Sequence, residues 1–296
     1  MGRRSVMFTP GDRPEMLRKS PTAGADVLVF DLEDAVAPQR KADARETVRA
    51  VLTDPAFDPD CEVCVRVNAS ESAIAADLEG LLQPADDELR LDSLMLPKVD
   101  SPADVEWLAD ELEAHDGSFP VFALIESAAG ALAAPAIAAV PATDALVFGA
   151  EDLSADLGAT RTADGTEVLY ARERVVLAAA AHDCTAIDTL VTDFGNEAQL
   201  REDTAFSVQL GYDGKLAIHP SQVDPINEAF TPSGSDREWA RRVLEAKQHA
   251  DAEGRGVFEV DGEMIDAPLI AQAERIRSRA VAADRWHGSN GSDASQ

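Results

Sequence analysis

The 296-residue chain carries 55 acidic against 26 basic side chains, a formal net charge of −29, which leaves no broad basic face and excludes nucleic-acid binding. It is 45% hydrophobic, enough for a large core, yet no apolar run reaches the roughly 18 residues of a membrane span. Arg3 and Arg4 precede no sustained apolar stretch of the kind that exports a chain, and three cysteines make no disulfide framework, so a cytoplasmic protein is expected.

In chain order, eight short apolar and β-branched runs read as strands: 5–9, 27–32, 62–67, 93–97, 120–125, 145–149, 185–188 and 215–218. Between them the segments 40–52, 103–114, 167–182 and 196–210 place apolar residues at helical spacing. Eight strand–helix units predict a (β/α)8 TIM barrel over residues 1–230. An open doubly wound sheet is the alternative, but no G-x-G-x-x-G follows a strand. Two further helical patterns, 236–253 and 263–283, flank an extended stretch at 256–262 and form a C-terminal helical extension, 231–286. It is too short for an independent core and is expected to pack over a barrel mouth, its own or a neighbour's. The polar tail 287–296 is expected to be disordered.

The predicted strands end in reactive groups, which is where barrel enzymes gather their chemistry. In order these are Pro10-Gly11, Asp31 with Glu33 and Asp34, Arg66 with Asn68, Lys98, Glu126, Glu151-Asp152, Asp188 and His219. Glu126 and Asp152 follow adjacent parallel strands, so their carboxylates meet at one rim; such hard oxygen ligands suit Mg²⁺, which keeps waters and substrate oxygens in its other positions. The competing reading makes both acids mere helix caps. Strand alternation places Asp31 and Glu33 on one face and Asp34 on the other. Arg66, inside a buried run, must have a compensating partner: an ion pair near Asp31, or a substrate oxyanion. Cys61 and Cys64 point to opposite sides of a strand and read as packing. Asp266, with Pro268 just beyond it, reads locally as an N-cap.

The charge itself carries an expectation. Nine of the 26 basic residues fall in the first 49 positions: Arg3, Arg4, Arg13, Arg18, Lys19, Arg40, Lys41, Arg45 and Arg49. They read either as solvated helix surface or as a pocket for a polyanion. The acidic excess elsewhere repels itself, a burden that fades at molar salt, where the Debye length shrinks from about 10 Å to about 3 Å. This is the composition of a halophile's protein. The melting temperature is expected to climb steadily between dilute buffer and molar KCl, by about 5 °C or more; salt-independent melting would overturn that reading.

Eight segments, in order, resemble the citrate lyase β-subunit/malyl-CoA lyase family of the HpcH/HpaI aldolase superfamily. They are Phe8-Thr-Pro-Gly-Asp-Arg13-Pro, Asp31-Leu-Glu-Asp-Ala-Val36-Ala-Pro, Val65-Arg66-Val-Asn68, Leu96-Pro-Lys98-Val, Ile125-Glu126-Ser-Ala-Ala-Gly130, Gly149-Ala-Glu-Asp152-Leu, Lys215-Leu-Ala-Ile218-His219-Pro-Ser-Gln222-Val and Met264-Ile-Asp266. Longer malyl-CoA lyases insert a segment after the metal-binding aspartate where this chain has only 157–166, which makes it similar to the shorter citrate-lyase-β-like branch.

The resemblance implies an Mg²⁺-dependent acyl-CoA carbon–carbon lyase that converts malyl-CoA, β-methylmalyl-CoA or citramalyl-CoA to acetyl- or propionyl-CoA and a 2-oxoacid. The same branch implies two alternatives, a malyl-CoA-type thioesterase and a citrate lyase β subunit acting on a carrier-protein-bound substrate. By resemblance, Glu126 and Asp152 hold Mg²⁺, and Arg66 contacts the thioester or oxyacid oxygen. The backbone amides of Glu151 and Asp152 receive the substrate carboxylate, and Phe8, Arg13, Lys19, Ile218 and His219 hold coenzyme A. Asp266 matches an acid/base that relatives supply from a neighbouring subunit, which overrides its reading as a plain cap and implies a homo-oligomer, a trimer or hexamer.

Overall fold

The computed structural model describes residues 2–82, 89–115 and 117–286; the expected tail, 287–296, lies outside them. Eight strands follow one another around a closed parallel barrel. They are β1 (Ser5–Pro10), β2 (Val27–Asp31), β3 (Glu62–Arg66), β4 (Ser93–Leu96), β5 (Val121–Ile125), β6 (Thr143–Phe148), β7 (Thr185–Asp188) and β8 (Gly214–Ala217). β8 closes the ring by pairing Ser5 with Lys215 and Met7 with Ala217. The helices are α1 (Pro14–Lys19), α2 (Lys41–Leu52), α3 (Glu71–Leu81), α4 (Pro102–Ala114), α5 (Ala128–Ala138), α6 (Ala150–Asp156), α7 (Leu169–Ala181), α8 (Glu197–Leu210), α9 (Val223–Phe230), α10 (Gly234–Ala252) and α11 (Ala267–Ala282). None of the described helices is long and apolar enough to cross a membrane.

The barrel interior is built by alternation. Side chains two apart on a strand share a face, and the inner cluster takes Val6, Val27, Val29, Cys64, Phe122, Leu124, Ala145, Val147, Ile187 and Leu216. One more step of two along each strand brings Phe8, Asp31, Arg66, Glu126, Gly149, Thr189 and Ile218 to the carboxyl-terminal rim. The parity that fills the core therefore also selects the rim residues.

By its contacts the chain divides into two compact units, the barrel unit Arg3–Asn227 and a second beginning at Glu228. The second unit has its own small core, in which Val243, Phe258, Val260, Ile265 and Ala273 pack together. Two expectations are corrected: the extension is not too short for a core of its own, and 263–283 is not a single helix. Phe258–Val260 and Glu263–Ile265 form an antiparallel hairpin, β9 and β10, and α11 starts only at Ala267. The cause is Asp261-Gly262, whose φ of +54° and +85° make the two-residue turn that matches strand twist.

Candidate active site

At the carboxyl-terminal rim the barrel unit opens into a cavity of about 380 Å³, lined by Phe8, Asp31, Asp34, Arg66, Glu126, Gly149, Glu151, Asp152, Thr189 and Ile218 together with Leu124, Leu190 and Leu216. The sequence-predicted Glu126, Asp152, Arg66, Glu151, Phe8 and Ile218 thus share one cavity.

Arg66 takes the first of its two alternatives, the ion pair near Asp31. Its Nε donates to Asp31 Oδ1 at 2.8 Å and its Nη2 to Asp31 Oδ2 at 2.6 Å, so the structural ion pair exists. The Phe8 ring lies 4.8 Å from the guanidinium carbon, and the guanidinium still borders the cavity. Burial works against the charge, but the hydrogen bonds and charge of Asp31 outweigh it and raise the pKa of Arg66 above its ordinary value. An arginine oriented on two sides is a preorganised anion donor.

Asp31 does a second job that corrects the alternation expected beyond it. Its two carboxylate oxygens accept the backbone N–H groups of Glu33 (2.8 Å) and Ala35 (3.0 Å), a local turn that ends β2 at Asp31. Glu33 and Asp34 are therefore not strand residues. Asp34 lines the cavity, while Glu33 is held between Lys98 Nζ (3.3 Å) and Arg66 Nη1 (2.9 Å). The Arg66 approach lacks hydrogen-bond geometry and leaves Glu33 Oε2 without a hydrogen-bond partner. Burial pushes the Glu33 carboxyl up, and Arg66 opposes this.

Glu126 is buried, and its Oε1 accepts the backbone N–H of Lys98 at 2.8 Å. Burial first, with the charge of Asp152 adding to it against the Lys98 hydrogen bond, raises its pKa from the usual carboxylate range to about 8. Gly149 allows the close approach of this carboxylate: a Cβ there would stand 2.6 Å from Glu126 Cβ. The next residues open α6, and the amides of Glu151 and Asp152 belong to its first turn, where no intrahelical acceptor exists. Thr189 Oγ1 accepts the N–H of Ala150 at 3.1 Å, and Arg161 Nε holds the Glu151 carboxylate at 2.9 Å. A buried, partly desolvated carboxylate beside a second acid in one cavity fits a hard divalent cation. Among the described residues no three His, Cys, Asp or Glu side chains form a metal-holding group; Glu126 and Asp152 are two carboxylates that line the same cavity.

Other predicted residues stand apart from this cluster. Asp188 is a correction: it does not serve the rim but is fully buried, bonded to Arg172 of α7 and Ser207 of α8, with Lys215 Nζ at 3.5 Å. The polyanion reading of the N-terminal bases also narrows. Arg3 pairs with Glu62, Arg4 with Asp26, Arg18 with Asp54, Arg40 with Asp12 and Arg45 with Asp77. Lys41 and Arg49 bind backbone carbonyls of Leu32 and Leu81. Arg13 and Lys19, at either end of α1, are exposed. His219 is exposed too, bonded to Ser221 through Nδ1 and stacked on Phe194 at 4.8 Å. In the second unit Asp266 is the N-cap of α11, its carboxylate accepting Leu269 N–H at 3.5 Å.

Sequence reasoning missed Thr189 and the Lys98 amide. Thr189 was reachable by counting two residues past the buried Ile187. The Lys98 contact runs through the backbone and carries no side-chain signal.

Residues 4–220 match the HpcH/HpaI aldolase/citrate lyase family. The citrate lyase subunit beta-like protein of Deinococcus radiodurans is 39% identical, over 93% of this chain and 96% of its own length. Mitochondrial citramalyl-CoA lyase of Rattus norvegicus is 35% identical, over 94% and 86%. Among solved structures, the CitE protein of Mycobacterium tuberculosis in complex with magnesium, acetoacetate and coenzyme A superposes with a TM-score of 0.77 at 37% identity, covering 95% of this chain and 98% of that one. A closed eight-stranded barrel, carboxylates gathered at its carboxyl-terminal rim and these matches together make the chain a member of the HpcH/HpaI aldolase/citrate lyase family.

Proposed function

We propose that this chain is a cytoplasmic, Mg²⁺-dependent lyase that splits a 3-hydroxyacyl-CoA, of the malyl-, β-methylmalyl- or citramalyl-CoA type, into acetyl- or propionyl-CoA and a 2-oxoacid. The observation that carries this reading is the convergence of Glu126, Asp152, Arg66 and the first-turn amides of α6 on one cavity. The names of relatives that bind magnesium and coenzyme A, or cleave citramalyl-CoA, support it.

Glu126 and Asp152 would hold Mg²⁺, which when bound supplies Lewis-acid polarisation of the 2-oxoacid carbonyl. The amides of Glu151 and Asp152 receive the oxoacid carboxylate, helped by the helix dipole. Arg66, fixed by Asp31, donates to the thioester oxygen as negative charge gathers there in the enolate. The apolar wall of Leu124, Leu190 and Leu216 excludes water that would otherwise attack the thioester. Phe8, Arg13, Lys19, Ile218 and His219 bind the CoA moiety. As the carbon–carbon bond breaks, the substrate's hydroxyl proton passes to solvent and its oxygen becomes the 2-oxoacid carbonyl. The Asp266 carboxyl of a neighbouring subunit delivers a proton to the enolate carbon, and both transfers reverse in the condensing direction.

The deciding experiment incubates purified protein with Mg²⁺ and citramalyl-CoA or malyl-CoA in molar KCl. Pyruvate or glyoxylate together with acetyl-CoA is expected. Hydroxyacid plus free CoA would instead make it a thioesterase. Turnover only with a carrier-protein-bound substrate would make it a citrate lyase β subunit.

A further inference from the structure

The turn that follows β4 is built around a disfavoured conformation. After Pro97 the backbone of Lys98 takes φ +54°, the left-handed region that residues with a Cβ avoid. The other described non-glycine residues with positive φ are Asp183, Asp261 and Asp284, and aspartate tolerates this region through local hydrogen bonds that lysine cannot make. Such a backbone persists only where its surroundings hold it. Here Val99 N–H donates to Leu124 O of β5 at 3.2 Å. On the other side Val99 O presses against α5, where a Cβ on Gly130 would lie 2.2 Å from it.

The consequence lies in the cavity. The left-handed turn points Lys98 N–H at Glu126 Oε1, 2.8 Å away. With Oε1 tied, Oε2 is the oxygen beside Gly149, where an added Cβ would be 2.9 Å from it, at the start of the helix that bears Asp152. The Lys98 side chain reaches the other way, its Nζ 3.3 Å from Glu33 Oε1, on the carboxylate that lies against Arg66.

We infer that Lys98 is a positioning residue with two separable actions: its left-handed amide sets the Glu126 carboxylate so that Oε2 is turned toward the Asp152 side, and its ammonium holds Glu33 against Arg66. The inference rests on the reading of Glu126 as a cation ligand. A glycine at this position keeps the amide, relieves the backbone and removes only the ammonium. A β-branched residue keeps the chain connected but cannot hold the turn.

Calorimetric titration of the substrate-free protein with Mg²⁺ tests the first action. Lys98→Gly and Lys98→Asn are expected to bind Mg²⁺ within about threefold of the unaltered protein, whereas Lys98→Val weakens binding about 10- to 100-fold. Equal weakening in Lys98→Gly and Lys98→Val, or full affinity in Lys98→Val, overturns the amide's role. Should Lys98→Val not fold, exchange of the Lys98 amide decides: it is expected to quicken about tenfold or more in Glu126→Ala, and unchanged exchange overturns the inference. The second action is read in kcat, which Lys98→Gly should lower about tenfold with Mg²⁺ affinity kept; an unchanged kcat removes it. Undiminished Mg²⁺ binding in Glu126→Gln would sink the underlying ligand reading, whereas loss there with full affinity in Lys98→Val would sink only the inference about Lys98.

Discussion

Glu126→Gln is expected to inactivate the protein and, without divalent cation, to stabilise it. If Glu126 is one of two carboxylates that hold the ion, its loss removes several kcal/mol of transition-state stabilisation, about 10³-fold or more in kcat/KM. Stability moves the other way because burial raises the Glu126 pKa to about 8 from an ordinary 4.5. A group whose pKa is higher folded than unfolded contributes stability that is complete below the unfolded value and is lost as pH rises through the folded one. Between about pH 4.5 and 8 the metal-free barrel therefore loses stability step by step, because the unfolded chain ionises this carboxyl while burial obliges the folded barrel to keep it protonated. Glutamine keeps the acceptor for Lys98 N–H and carries no charge to desolvate. Its advantage should be small at pH 5 and reach about 3 kcal/mol, or about 5 °C in Tm, at pH 8. Melting in chelator from pH 5 to 8.5, repeated in saturating Mg²⁺, checks both halves: only the unaltered protein should gain from the ion. A variant that melts below it at pH 8 in chelator would contradict the account.

Much of this site was legible because a barrel strand repeats every two residues. β2 and β5 are buried at every position, so their apolar runs are unmistakable, and the acids that follow them fall at a rim by necessity. Arg66 stood out for the same reason, as a charge inside such a run. What the sequence hid is interaction between residues far apart in it. Arg3 meets Glu62 and Asp144, and Arg45 meets Asp77; no local pattern distinguishes these bases from ones awaiting a phosphate. Asp188 was misassigned for a related reason: it ends a strand as Glu126 does, but its parity is that of the outer face, where Arg172 and Lys215 neutralise it.

Backbone conformation was the other blind spot. Lys98 takes a glycine-like φ with nothing in its side chain to announce it, so the amide contact to Glu126 could not be foreseen. The Asp261-Gly262 turn did carry a local signal, a dipeptide suited to positive φ at both positions. It was overridden by an apolar spacing across 263–283 that a short strand and the following helix happen to share. Strand and helix periods are hard to separate over three residues.

Asp266→Asn is expected to lower kcat by about 10²- to 10⁴-fold, the range of a lost general acid–base group, with little change in fold or in CoA binding. The local structure makes this substitution clean. Asp266 caps α11 through Leu269 N–H, and asparagine caps a helix about as well as aspartate, so the second unit should keep its melting behaviour. If Asp266 serves the site of a neighbouring subunit, the variant still owns an intact set of Glu126, Asp152 and Arg66 but lacks a competent donor for it. The Glu126→Gln variant has the reverse defect. Mixing the two inactive proteins under conditions that exchange subunits should then restore activity, because a hybrid interface joins the intact Glu126 of one chain to the intact Asp266 of the other. For random exchange at equal amounts, roughly a quarter of the interfaces carry both intact groups, so recovery to about a quarter of the unaltered rate is the ceiling. Recovery that depends on mixing time and protein concentration supports action in trans. Two fully exchanged variants that stay inactive would place Asp266 outside its neighbour's chemistry, and an Asp266→Asn protein with full kcat would remove it from the reaction altogether.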